Sequence, residues 1–238
     1  MRRVLAMLAT MALLLIGGCG SKSYELRLDE TLENIKYQDR LNKLLMPALT
    51  KGKWEELSIY LRPPKNLAQT KAWMLAETEP GKFDQEASFD EAKKQNLHVL
   101  ARVKRAKTPG KKAVPTPADT VDRSNFNGDV LAILNEYYKP PEELTMSKFK
   151  NDTKKKNDFK FHGMTVNDKS VKIYLYKQEP YDVALIFEYP KSEEADLYSK
   201  IVLSLESFAV GERARRFFGG ATSEAEASGD APPSGVAF

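Results

Sequence analysis

Three runs of alternating residues, 159–166, 170–177 and 181–189, follow one another with almost no chain between them. Side chains on a strand point to opposite faces in turn, so this period of two predicts strands and excludes helices over the same span. The joints agree. Asn167-Asp168-Lys169 and Glu179-Pro180 are residues that accept or impose tight reversals. Together they predict an antiparallel three-stranded meander. On the middle run Tyr174 and Tyr176 fall opposite Val171, Ile173 and Leu175. Apolar bulk on both faces requires cover on both, and so predicts helices on two sides of the sheet.

Helical periodicity supplies that cover. Thr31 to Met46 places Leu32, Ile35, Leu41, Leu44 and Leu45 near a 3.6-residue repeat, with Asp29 or Thr31 able to cap its start and Pro47 to end it. Asn127 to Tyr138 repeats Val130, Leu131, Leu134 and Tyr137 before Pro140-Pro141. A last helix begins near Ser192, where Glu193 and Glu194 suit the positive end of the helix dipole, and carries a stripe of Leu197, Tyr198, Ile201, Val202, Leu205 and Phe208. Further strands are expected at Leu57 to Leu61, at Ala72 to Glu77, and at Leu97 to Lys104, the last half-buried, with His98 and Arg102 on its more polar side. The fold class expected is α+β: an antiparallel β-sheet flanked by helices, as an α/β/α sandwich.

The chain ends are of different character. Arg2 and Arg3 precede an apolar run from Val4 to Ile16, which is shorter than the roughly 20 residues a spanning helix needs, so residues 1–18 are expected to be a cleaved leader. Directly behind it stands the only cysteine of the 238-residue chain. Leu15-Ile16-Gly17-Gly18-Cys19 resembles the lipobox of bacterial lipoproteins, which implies a diacylglyceryl group on the Cys19 thiol and a lipid anchor in a membrane. In that sorting pattern Gly20, where an aspartate would favour the inner membrane, implies the periplasmic face of the outer membrane over the inner membrane in a host that has an outer membrane. One cysteine also excludes an internal disulfide, so the domain must stand on its core. Residues 19–218 are expected to form a single domain. Within it 106–125, with three prolines, is expected to be a flexible loop, and 219–238, rich in Gly, Ala, Ser and Pro, a disordered tail.

The last strand and helix, Tyr181 to Phe208, carry a second resemblance. An apolar strand ends in Pro190, and the helix closes on Ser204-Leu205-Glu206-Ser207-Phe208; this is similar to the PsbP-like family, including bacterial lipoproteins of the DcrB type. Tyr60-Leu61-Arg62-Pro63-Pro64 resembles the opening of such domains, although no glycine-tryptophan pair follows it. The resemblance implies a PsbP-like fold and a non-enzymatic role in binding or assembly.

The residues that do chemistry in enzymes are sparse. Two histidines, His98 and His162, both fall inside predicted strands, and no His-Glu-x-x-His, Gly-x-Ser-x-Gly or phosphate-binding loop is present. No catalytic residue, metal ligand or cofactor is therefore assigned. Adjacent acids occur at Glu55-Glu56, Glu142-Glu143 and Glu193-Glu194, where turns and helix starts explain them; a carboxylate hydrolase acting on an envelope polymer is the alternative they leave open. The formal charge of +4 is mild, and an extracytoplasmic address argues against nucleic acid as a partner. The distinctive basic feature is Lys148, Lys150, Lys154, Lys155, Lys156 and Lys160. Such a cluster can meet anionic lipid, an acidic polymer or an envelope protein; equally, it can be a solvated loop guarding a strand edge.

Overall fold

A computed structural model describes residues 21–70, 75, 77–91, 94–104 and 121–218. The leader, Cys19, most of the 106–125 segment and the 219–238 tail lie outside the described residues. The chain divides into two compact units, one ending at Leu44 and the other starting at Leu45.

In the first unit a single helix, α1 (Ser21–Leu44), starts ten residues earlier than the sequence pattern suggested. Thr31 does not cap it. Its hydroxyl instead donates to the Arg27 carbonyl, 2.7 Å away, one turn back within the helix. Tyr24, Leu28, Leu32 and Ile35 recur at three- and four-residue spacing and are all exposed.

The second unit holds the sheet. Its elements are α2 (Lys53–Glu56), β1 (Ile59–Tyr60), β2 (Ala68–Gln69), β3 (Gln85–Glu91), β4 (Gln95–Val103), α3 (Phe126–Tyr138), β5 (Lys150–Lys154), β6 (Asn157–Val166), β7 (Lys169–Gln178), β8 (Tyr181–Pro190), α4 (Glu194–Ser207) and β9 (Ala209–Val210), and residues 212–218 are helical. Seven strands make one sheet in the order β2-β3-β4-β8-β7-β6-β5, antiparallel at every junction. β1 and β9 pair separately. The expected meander is present, and Asn167 and Asp168 both have positive φ, the two left-handed positions of a tight hairpin turn.

Each face of the sheet has its own core. On one, Leu197, Ile201, Leu205 and Phe208 pack with Val99, Phe159, Tyr174, Tyr176, Leu185 and Phe187. Tyr198, expected in that stripe, is exposed. On the other, Phe126, Val130, Leu131, Leu134 and Tyr138 of α3 cover Leu100, Val171, Ile173, Leu175, Ala184 and Ile186. An antiparallel sheet between helices, the expected fold class, is thus what the chain adopts. α3 reaches its face because the connection from β4 must travel to β5 at the far edge, and the helix lies within that connection.

Several local expectations fail for identifiable reasons. β1 has only two residues, because residues 53–56 are already helical and Pro63-Pro64 follow closely. Leu75 and Glu77 are not in a strand, and the rest of 72–76 lies outside the described residues. The lysine segment is not all loop: residues 150–154 form β5, pairing with β6 from Lys150 opposite Phe161 to Lys154 opposite Asn157. β4 is buried on both faces rather than half-buried: His98 and Arg102 are both buried, and Arg102 lies against Asp129 and Phe126 of α3.

Candidate functional site

Two groups of hydrogen-bonded polar residues are sunk in the α3 side of the sheet, and in the first of them the Asn96 Oδ1 is buried without a hydrogen-bond partner among the described residues. Glu188 on β8 accepts from Asn96 Nδ2 at 3.0 Å, from Tyr138 OH at 2.9 Å and from Lys169 Nζ. Burial works to raise its pKa, but the hydrogen bonds from Lys169 and Tyr138 and the Lys169 charge outweigh it and hold the carboxyl below the usual range. His98, behind it, lies 2.9 Å from the Ser88 hydroxyl through Nδ1. Burial pushes its pKa down to about 4, against the opposing pull of the Glu188 charge, so at neutral pH the ring is uncharged.

Farther along, the Arg102 guanidinium donates to Asp129 at 2.6 Å and to the Arg123 and Lys82 carbonyls. It lies 5.2 and 5.4 Å from the centroids of Phe83 and Phe126. Asn125 caps α3 by accepting from Gly128 N at 3.0 Å. These groups fix α3 on the sheet. Their charges are consumed in doing so.

A groove at the β6 edge has a different character. β5 stops pairing at Lys150 opposite Phe161, so, among the described residues, 162–166 of β6 keep only β7 as a partner strand. A groove of about 530 Å³ crosses this edge, lined by Lys148, Lys150, Phe161, His162, Gly163, Met164, Thr165, Ser170, Lys172 and Glu194. Its three lysines come from three elements: the 3-10 turn Met146–Lys148, β5 and β7. Lys172 is bound to Glu194 at 2.8 Å and stands 5.9 Å from the Phe161 ring centroid. Glu194 also accepts from Ser170 Oγ at 3.1 Å, and the Lys172 hydrogen bond holds its pKa low. Lys148 pairs at 2.9 Å with Glu142, whose carboxylate is almost fully exposed. Lys150 is exposed and makes no ion pair with a described residue.

The floor of the groove depends on Gly163. A Cβ there would meet Phe161 Cζ at 3.2 Å and Lys172 Cδ at 3.4 Å, so glycine gives the Phe161 ring room to lie close across the strand beside Lys172. His162 donates from Nδ1 to the Lys148 carbonyl at 3.2 Å and packs on Phe149 at 5.3 Å between ring centroids, which ties the 3-10 turn beside the edge. Its role is to hold the wall.

The lysine cluster is thus divided. Lys148 and Lys150 reach the groove. Lys154 bonds Asp152 at 2.8 Å on the hairpin, Lys155 and Lys156 form the two-residue turn, and Lys160 lies on the opposite side of β6 in a second hollow with Asp158 and Lys177. Cys19 lies outside the described residues. Sequence reasoning missed Lys172, Ser170 and Gly163. The available signals were a lone lysine on the tyrosine-bearing side of β7 and a glycine inside a strand pattern.

No protein-family model matches the chain, and no curated protein does. What the coordinates define is a class: an antiparallel sheet layered between helices, with a basic groove at one open edge. Among solved structures it is similar to cyanobacterial PsbP (CyanoP) from Synechocystis sp. PCC 6803, with 10% identity over 71% of this chain and 93% of that one and a TM-score of 0.44. It is also similar to a protein from Bacteroides thetaiotaomicron VPI-5482, with 9% identity over 69% of this chain and a TM-score of 0.39, where the match spans 48% of that chain, about half its length.

Proposed function

We propose that this chain is a lipid-anchored, non-catalytic protein of the cell envelope, PsbP-like in its domain, which binds an anionic partner through the groove at the β6 edge. The observation that carries the proposal is the convergence of Lys148, Lys150 and Lys172 on one hollow with a single carboxylate, Glu194, among its lining residues. Glu194 pairs with Lys172 and the exposed Glu142 with Lys148, so the local excess of positive charge is that of Lys150, and an anion beside it can also draw on the two paired lysines. A binding role rather than a catalytic one is supported by the use of the buried titratable groups. On the face opposite the α4 core, Glu188 and Arg102 hold Tyr138 and Asp129 of α3, and His98 bonds Ser88 of β3. The anchor rests on the Cys19 motif. The exposed stripe Tyr24, Leu28, Leu32 and Ile35, on a helix that begins two residues after that cysteine, supports a membrane-proximal start to the chain.

Two variants test the parts separately. Cys19→Ala is expected to move the protein from the membrane to the soluble fraction or to stop its processing; unchanged membrane retention and an unmodified thiol in the mature wild-type chain would refute the anchor. Lys150→Glu, which reverses the groove charge that meets no described acid, is expected to weaken retention on immobilised poly-L-glutamate several-fold. Undiminished retention would refute the groove as the binding surface.

A further inference from the structure

The groove runs along backbone that no other described strand pairs, and this narrows its ligand. In an antiparallel sheet alternate residues direct their N–H and C=O toward each neighbour, so over residues 162–166 two or three residues present both groups outward. A row of donors and acceptors repeating along a strand is matched by another extended peptide and by no lipid headgroup or polysaccharide. Exposed edges normally carry devices against such pairing: very short strands, prolines or charges. The opposite edge of this sheet has one, since β2 is two residues long. His162, Gly163, Met164, Thr165 and Val166 include no proline and no charged side chain, and Gly163 and Thr165 are exposed. The charges stand beside the edge instead, as Lys148, Lys150 and Lys172.

We infer that residues 162–166 of β6 receive an extended acidic peptide segment of a partner protein, which adds to the sheet as a strand while its carboxylates meet Lys148, Lys150 and Lys172. The inference rests on the groove being the anionic site proposed above, and names the chemistry of its occupant. Strand addition is oriented by the main chain; the lysines select acidic side chains.

The test uses the full chain purified in detergent and an acetylated, amidated octapeptide of alternating glutamate and valine, with versions N-methylated at every second residue in either register. Binding is followed by calorimetry and by amide hydrogen exchange. The unmodified peptide is expected to bind at millimolar concentration or below and to slow exchange at 162–166 several-fold. At least one N-methylated version is expected to bind at least tenfold more weakly with its charges intact, and K148Q/K150Q/K172Q to weaken the unmodified peptide to a similar degree. Equal binding of both N-methylated versions, without protection of 162–166, would overturn strand addition but leave an anionic groove. Full binding by the lysine variant would overturn the groove itself. No peptide binding, with phosphatidylglycerol vesicles bound in a lysine-dependent way, would overturn the peptide and leave lipid as the anion.

Discussion

Asn157 carries out two tasks with one side chain. Fully buried at the start of β6, it donates from Nδ2 to the carbonyls of Leu205 and Phe208 at 2.8 and 2.7 Å, and its oxygen accepts from Arg213 at 3.0 Å. The C-terminal carbonyls of a helix lack intrahelical donors, so this amide closes α4 while joining it to the sheet. Asn157→Ala strands buried acceptors and is expected to cost about 3 kcal/mol, measurable as a lower urea midpoint with unchanged slope. His98 makes the acid limb of stability. Its folded pKa lies below the unfolded value, so the unfolded chain binds more protons between about 6.5 and about 4. Stability is therefore complete above about pH 6.5 and is lost as the pH falls toward about 4, by up to about 3 kcal/mol. Glu188, also depressed, contributes in the same direction at lower pH. His98→Gln is expected to flatten the pH 6.5 to 4 part of the stability profile; an unchanged slope would assign it to other groups. Neither role was legible in the sequence, where Asn157 sits beside three lysines and His98 alternates with valine and leucine like a residue facing water.

At the scale of elements, legibility followed the strength of the hydrophobic pattern. The three strands from 157 to 190 and the helices α3 and α4 were apparent because their apolar positions repeat without interruption. β3 was missed because its sequence, QEASFDE, has only Ala87 and Phe89 to give to the α4-side core, while Ser88 on the other face answers His98 rather than a hydrophobe. β5 was missed because KNDTK is an edge strand with solvent-facing polar residues, and pairing alone makes it a strand. Gly163 illustrates the opposite case, in which the element tolerates a change that the groove does not. Valine favours strands over glycine by up to about 1 kcal/mol, so Gly163→Val is expected to leave the melting temperature unchanged or raised. The same variant crowds the Phe161 ring and fills the floor of the groove beside Lys172, and retention on poly-L-glutamate is expected to fall several-fold. A fall in stability with retention preserved would contradict this assignment.

Across the whole molecule, two separate cores on one sheet divide the labour. The α3 side buries charge in paired form and is fixed; the far edge, where β5 ends early, is where strand backbone stays open among the described residues and Lys150 meets no described acid. Half of the candidate site was legible, as Lys148 and Lys150 in a basic run. The rest depended on register: Lys150 opposite Phe161 sets where pairing ends, and only the folded sheet brings Lys172 of β7 and Glu194 of α4 to the same hollow. A linear count of lysines gives Lys154, Lys155 and Lys156 equal standing, whereas the fold places them at the hairpin tip with Lys154 already engaged by Asp152. That difference can be measured directly. Affinity for poly-L-glutamate should be determined for the wild-type chain, for K148Q/K150Q/K172Q and for K154Q/K155Q/K156Q, which remove the same formal charge. Loss of about tenfold or more in the groove variant, with less than about twofold in the hairpin variant, is the outcome expected from a built site. Equal losses in the two, or a larger loss at the hairpin, would reduce the groove to a share of diffuse surface charge and contradict the account.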